Sequence, residues 1–481
     1  MFGLHREMLI DGHFIGGPCD QAVGKLVLRN PYDGSVIGTA AEGGWHEANT
    51  ALAAAQDAFR EGRAGSAEAR KALLERIAQS ICDRAEELAE ILVYEVGKPI
   101  TWARGEVTRT AITFQLAAEA VYLLEPEEVE LSHDTRAKDY QAKVGRFPIG
   151  VVLAIVPYNW PYNLTAHKVA PALAAGNAVV VKPSSLAPLS TLTLMRLIHE
   201  AGCPPGVVNA VVVPSPIAQK MALDPRVAKV SFTGSPAVGW MLKEKLPAKR
   251  VTLELGGDAA AIVAEDADLD WAIPRIAAGA YGYAGQVCIA VQHVWAHTSR
   301  YEEARARLIE ATNSCPTGDP REERTVCGPL INTTEADRVM AWIAEAQQQG
   351  ATLLAGGTRE GNVVAPTLLE GVPDSSKLGC EEVFGPVLTL RPYDDIAEPI
   401  AHINRSPYGI HTGVFTQNDV LAERAFRELD VAGVVIDDFP TLRFDALPYG
   451  GVRKSGFGRE GIRYAIEEMT ELRSLVRRVC P

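Results

Sequence analysis

Between residues 45 and 124 the apolar positions recur at three- and four-residue spacing, over 45–60 and again over 67–96, with Ala and Glu between them. That period predicts helices. From Gly150 the texture changes to short apolar runs at 151–156, 178–181, 208–213, 227–232, 251–255 and 260–263. Runs unbroken by polar residues suit strands buried on both faces. Helical stretches at 166–173 and 189–201 separate the first of them, and this alternation predicts a parallel sheet with right-handed crossovers. A second alternating block spans 280–435, with helices at 301–312 and 334–349 and strands at 387–390, 412–415 and 431–435. Residues 127–148 alternate polar and apolar positions and, with 471–479, read as an extension from the core. The pattern predicts two α/β domains.

Composition narrows the function classes. The 481 residues are 47% hydrophobic and 22% charged, which suits a globular chain rather than a disordered one. A net charge of −13 argues against non-specific binding to nucleic acid or anionic membrane. No apolar run approaches the roughly 18 residues that span a bilayer. The first 14 residues carry His5, Arg6, Glu7 and Asp11 and read as neither signal nor anchor. The eight cysteines are scattered, with no CxxC pair. Neither a disulfide framework nor a metal site is expected, and a reducing cytoplasm is the default compartment.

Several stretches carry candidate chemistry. Phe232-Thr-Gly-Ser-Pro-Ala-Val-Gly239 joins a predicted strand to a predicted helix over 238–245. Gly234 and Ser235 could bring backbone N–H groups to a phosphate, or the segment is simply a tight turn. Pro157-Tyr-Asn-Trp-Pro161 follows Val156 at the end of a strand, where α/β proteins bind ligands. Two prolines stiffen this loop. The Asn159 amide either donates to an oxyanion or caps a helix beginning near Leu164. In Val251-Thr-Leu-Glu-Leu-Gly-Gly257, Glu254 lies between apolar neighbours, as a desolvated general base or an edge-strand carboxylate would. Cys288 follows the glycine-containing turn 282–285. It is either an inert core cysteine or a thiol at a helix start, where the dipole would lower its pKa. Glu381-Glu-Val-Phe-Gly-Pro-Val387 and the glycine-dense 448–461 complete the set.

Taken in order, these words resemble the aldehyde dehydrogenase superfamily over essentially the whole chain. Val181-Lys-Pro-Ser184, Gly328-Pro-Leu-Ile331 and Ser455-Gly-Phe-Gly-Arg-Glu460 add to the match. The look is nearest to the lactaldehyde and non-phosphorylating glyceraldehyde-3-phosphate branch, through 283–288 and Tyr464-Ala-Ile-Glu-Glu-Met469. The resemblance implies an α/β fold with a Rossmann-like nucleotide-binding domain (1–126 and 147–256), an α/β catalytic domain (257–448) and a small β oligomerisation extension (127–146 and 469–481). It implies a homodimer or homotetramer. It assigns Cys288 as nucleophile, Glu254 as general base and Asn159 as oxyanion-hole amide. NAD or NADP would lie against Val156, Pro157, Lys182, Ser185, Gly234, Ser235, Glu382 and Phe384. An aldehyde would be oxidised to an acid through a thiohemiacetal and a thioester. The alternatives are acyl transfer to coenzyme A, which Glu254 argues against, and a silent structural relative.

Three departures refine this. Ser185 stands where many NAD-preferring relatives have Glu; a serine would not repel a 2′-phosphate, so NADP is expected to be accepted. Asp258 stands where Lys is usual. His167 and Arg443, with Tyr449, point to a pocket for a small polar or anionic aldehyde. For His167 the other reading is a helix residue bonded to backbone; for Arg443 it is a salt bridge, with Asp445 as a nearby partner.

Overall fold

The computed structural model describes residues 4–17, 20 and 23–479. Cys19 and Cys480 lie outside the described residues, as do the first three residues of the N-terminal stretch. The predicted helical region forms four helices, Trp45–Arg60, Ala67–Asp83, Ala85–Val96 and Ile100–Glu119. The single helix expected over 67–96 is broken at Arg84, whose φ of −117° is not helical.

Two larger sheets carry the architecture. The first has eight strands, in the order Gly456–Phe457, Arg250–Glu254, Val227–Thr233, Val151–Ile155, Ala178–Lys182, Val208–Ala210, Met8–Ile10, His13–Ile15. The five central strands run parallel and the outer ones antiparallel. Strand order reverses beside Val151–Ile155, because the next two strands in sequence build one side and the following two the other. Loops leaving neighbouring strands diverge at such a point and open a crevice at their carboxyl ends. The nearly continuous burial along these strands is what a sheet covered on both faces requires. The run expected at 208–213 is a strand only as far as Ala210.

The second sheet has seven strands, ordered Thr352–Ala355, Thr367–Glu370, Val387–Tyr393, His293–His297, Ala260–Val263, His411–Phe415, Gly433–Ile436. All are parallel except the first. Its last strand begins two residues later than the run expected at 431–435. The polar segments pair as a separate three-stranded sheet. Thr470–Arg478 lies antiparallel to Tyr140–Pro148, which also pairs with Glu127–Val129. No helix of the described residues is long and apolar enough to cross a membrane.

Candidate active site

The strand reversal places two loops side by side. One leaves Ile155 as Val156-Pro157-Tyr158-Asn159; the other leaves Thr233 as Gly234-Ser235 and enters helix Pro236–Lys245. Between them lies a cavity of about 660 Å³. Val156, Pro157, Lys182, Gly234, Ser235, Glu382 and Phe384 all line it, as do Glu254, Asn159 and Cys288. Ser185 does not line it; that residue is exposed, between the lining residues Ser184 and Leu186.

The cavity is suited to a dinucleotide. Lys182 ends a buried strand, and burial lowers its pKa. The Thr233 hydroxyl is buried without a partner beside the Gly234 turn. Glu382 accepts from the Gly257 N–H at 3.0 Å. Burial pushes its carboxyl up to about 8 against that hydrogen bond, with Asp258 adding to the rise. A Cβ on Gly256 would stand 2.2 Å from Glu382 Oε2, so only glycine admits the carboxylate here. Asp258 itself accepts from Ser406 Oγ at 2.6 Å and is pushed up to about 6 by burial. Phe384 adopts φ +45° and meets Tyr158 edge to face at 6.3 Å.

A second cavity, of about 340 Å³, opens on the other side of Cys288. Asn159, Leu164, Cys288 and Tyr449 line both. The thiol therefore stands where the two spaces meet. Of the two sequence readings of Cys288, inert core cysteine or reactive thiol, the second has it begin a helix and carry a lowered pKa. The structure corrects both points. Cys288 occupies a tight turn closed by a hydrogen bond from Ala290 N–H to Val287 O at 2.9 Å. Burial pushes its thiol up to about 12. The turn is set by a constrained approach: Tyr283 and Ala284 take φ of 52° and 53°, positions that cost energy outside glycine. A Cβ on Gly285 would meet Gly385 O at 2.3 Å.

Asn159 does not cap the following helix, which starts at Pro161 and has Trp160 as its N-cap. Its amide donates to Gln286 O at 2.9 Å, tying the loop to the Cys288 turn. One amide hydrogen remains for another acceptor. Glu254 is no edge carboxylate. It ends a strand flanked on both sides, is 3% exposed, and neither of its oxygens has a hydrogen-bond partner. Burial raises its pKa well above the usual carboxylate range, and Glu460 adds to the rise.

The second cavity carries two arginines, Arg109 and Arg443, among Trp102, Trp160, Phe439 and Leu442. Arg109 pairs with Asp445 through two hydrogen bonds, of 2.6 and 3.1 Å. Arg443 lies 3.8 Å from Asp445 and 3.6 Å from Glu460, too long for hydrogen bonds, and stacks on the Tyr449 ring at 3.7 Å. Its Nε and Nη2 are buried without hydrogen-bond partners. His167 lines neither cavity. It sits in a wholly buried helix, its Nε2 2.8 Å from Asp445 Oδ1, so it braces the arginine network from behind and does not bond to backbone. Arg109 went unrecognised in the sequence because nothing local separates it from a solvated helix arginine.

The family model described as "Aldehyde dehydrogenase family" matches residues 20–475. The 3-sulfolactaldehyde dehydrogenase of Priestia aryabhattai is 40% identical over 466 residues, covering 97% of each chain. Aldehyde dehydrogenase 21 of Physcomitrella patens, solved with its reaction product succinate, superposes with a TM-score of 0.96 at 37% identity, covering 100% of this chain and 99% of that one. The NADP-dependent glyceraldehyde-3-phosphate dehydrogenase of Bacillus halodurans, solved with NADP, gives 0.95 at 32% identity, covering 99% and 100%. The chain belongs to the aldehyde dehydrogenase family and is an NAD(P)-dependent enzyme that oxidises an aldehyde to its acid.

Proposed function

We propose that the substrate is a short aldehyde with an anionic group a few atoms from the carbonyl. The observation that carries this reading is the pair Arg109 and Arg443 in the small cavity beside Cys288. An arginine fork matches carboxylate, sulfonate or phosphate oxygens, and Arg443 lines the cavity without a hydrogen bond to Asp445 or Glu460. A cavity of about 340 Å³ suits a chain of a few carbons. The relatives named above act on a sulfonated aldehyde, a phosphorylated aldehyde, or yield succinate, and each of these carries such an anion.

In this reading residues 1–126 and 147–256 bind the nucleotide, and 257–448 supply the catalytic half. Lys182 meets the adenosine ribose, Gly234 and Ser235 the pyrophosphate, Glu382 the nicotinamide ribose, and Phe384 the nicotinamide end, with Val156 and Pro157 as walls. The bound nicotinamide supplies the hydride acceptor. Cys288 adds to the carbonyl carbon, and the remaining Asn159 N–H with the Cys288 backbone N–H receives the oxyanion. After hydride loss a thioester remains. Glu254, with both oxygens free, takes a proton from the water that cleaves it. Ser185, exposed beside the adenosine end, leaves room for a 2′-phosphate.

The test is nicotinamide reduction across succinic semialdehyde, sulfolactaldehyde, glyceraldehyde-3-phosphate, lactaldehyde and hexanal, with NAD and NADP in parallel. Anionic aldehydes should lead by kcat/KM. Arg443→Met should weaken them about ten- to hundredfold while sparing hexanal. Equal loss on hexanal would sink the anion-site reading. Failure of NADP to support turnover would remove the role given to Ser185.

A further inference from the structure

Tyr449 lies between the two cavities with its phenol oxygen 2.9 Å from Cys288 Sγ. This is the thiol's hydrogen bond, and its geometry is fixed from several directions. The backbone of Tyr449 exchanges two hydrogen bonds with Glu460, of 3.0 and 2.7 Å. Its ring meets the His411 ring edge to face at 5.4 Å, and the Arg443 guanidinium covers its face at 3.7 Å. The ring is 4% exposed. A phenol held this firmly cannot follow the sulfur if the bond is lost, so it selects one thiol position. With the neutral thiol either group can donate. Once sulfur is ionised, only the phenol can. Burial keeps that phenol protonated, since it raises the Tyr449 pKa well above its ordinary value.

Resting on the reading of Cys288 as nucleophile, we propose that Tyr449 is a catalytic residue whose O–H donates to the Cys288 thiolate and aims it at the aldehyde carbon. The step balances simply. The thiol proton leaves to solvent through the open cavity, the sulfur pair forms the S–C bond, and the carbonyl π pair moves to oxygen. Tyr449 keeps its proton throughout. The bond offsets part of the cost of ionising a buried thiol, which also feels the charges of Glu382, Arg443 and Glu254. Because the same ring carries Arg443, an anion drawn to that guanidinium arrives beside the residue that aims the nucleophile.

The test is Tyr449→Phe, which keeps the ring and removes one oxygen. Two quantities are read. The first is the pH profile of iodoacetamide alkylation without cofactor, followed on the Cys288 peptide by mass spectrometry because Cys82 is exposed. The second is the rate of the first-turnover NAD(P)H burst. A hydrogen bond to a charged group predicts that the alkylation profile moves up by about one pH unit or more, and that the burst slows about ten- to hundredfold. KM should change less than about threefold, because the substitution leaves Arg109, Arg443 and the ring beneath Arg443 in place. An unchanged alkylation profile overturns the proposal, even if the burst slows. Cys288→Ala separates the two layers of the argument. If it retains turnover, the nucleophile is misassigned; if it is inactive while Tyr449→Phe behaves as wild type, only the role of Tyr449 falls.

Discussion

Glu254 ends a buried strand with no donor on either carboxylate oxygen. Its pKa is raised well above the usual carboxylate range by burial and then by Glu460, which widens the pH range over which it holds its proton. Only the carboxylate can take a proton from water. The steady-state rate should therefore climb as pH rises through the raised pKa and fall as pH drops below it. A kcat–pH profile with an alkaline limb is the expected result, and Glu254→Gln should remove that limb. The variant should still give a burst of NAD(P)H but little steady turnover, because thioester formation does not need the base. Undiminished steady turnover would exclude Glu254 from deacylation. Cys288, Glu254 and Asn159 were legible in the sequence as words in order. The desolvated carboxylate was one of two readings open for Glu254, while the thiol's raised pKa was not legible. The thiol's raised pKa and the orphaned carboxylate come from burial by residues far away in the chain.

One element controls the site more than any other. Helix Pro161–Ala175 starts directly after Asn159 and is buried along its whole length, yet its N-cap, Trp160, supplies no capping side chain. Glu106, from the middle of helix Ile100–Glu119, does so instead. Its Oε1 accepts from Tyr162 N–H at 2.8 Å and Asn163 N–H at 3.2 Å, and Oε2 pairs with the fully buried Lys98. Lys98 also lies over the Trp160 ring at 3.9 Å. Two residues that line neither cavity thus anchor the loop that carries the Asn159 amide. Glu106→Gln keeps an acceptor for the cap but leaves Lys98 without its carboxylate. It should lower stability to urea at pH 7 by about 3–5 kcal/mol. The deficit should shrink at pH 9. Burial already lowers the Lys98 pKa to about 8, against the pull of Glu106. Without Glu106 the folded state would shed that proton while the unfolded chain keeps it, so stability rises with pH. An equal deficit at both values would mean that the pair is not the cause. The helical period predicted both helices, but it could not show which face of one would cap the other.

At the scale of the whole molecule, the small three-stranded sheet stands apart. Strand Thr470–Arg478 is paired on one side with Tyr140–Pro148 and forms the sheet edge, with Leu472, Leu475 and Val476 exposed. An edge strand of nine residues that exposes three apolar side chains among charged ones leaves a row of backbone groups for a partner. We expect a second copy of the chain to cover it, so light scattering should give at least twice the monomer mass. Leu472→Lys combined with Val476→Lys, on one face of the strand, should lower that mass. A wild-type monomer would refute the expectation. Alternation over 127–148 indicated the strands there, because polar and apolar positions repeat every second residue, and 471–479 was read as part of the same extension.

By itself the sequence determined the helical region from Trp45, the strand–helix alternation from Gly150 with its parallel strands, and the motif loops; the strands before Trp45 and strand His293–His297 were not legible in it. The legible part follows from hydrophobic period and turn chemistry, which act over a few residues. Only the tertiary structure decided which distant side chains face one another. Arg109 and Asp445 are 336 positions apart, and Cys288 and Tyr449 are 161 apart. It turned His167 from a pocket residue into a brace behind the pocket, and Cys288 from a helix start into a tight turn. The reason is physical: local period fixes which face of an element is buried, but loop paths and close packing choose what that face meets.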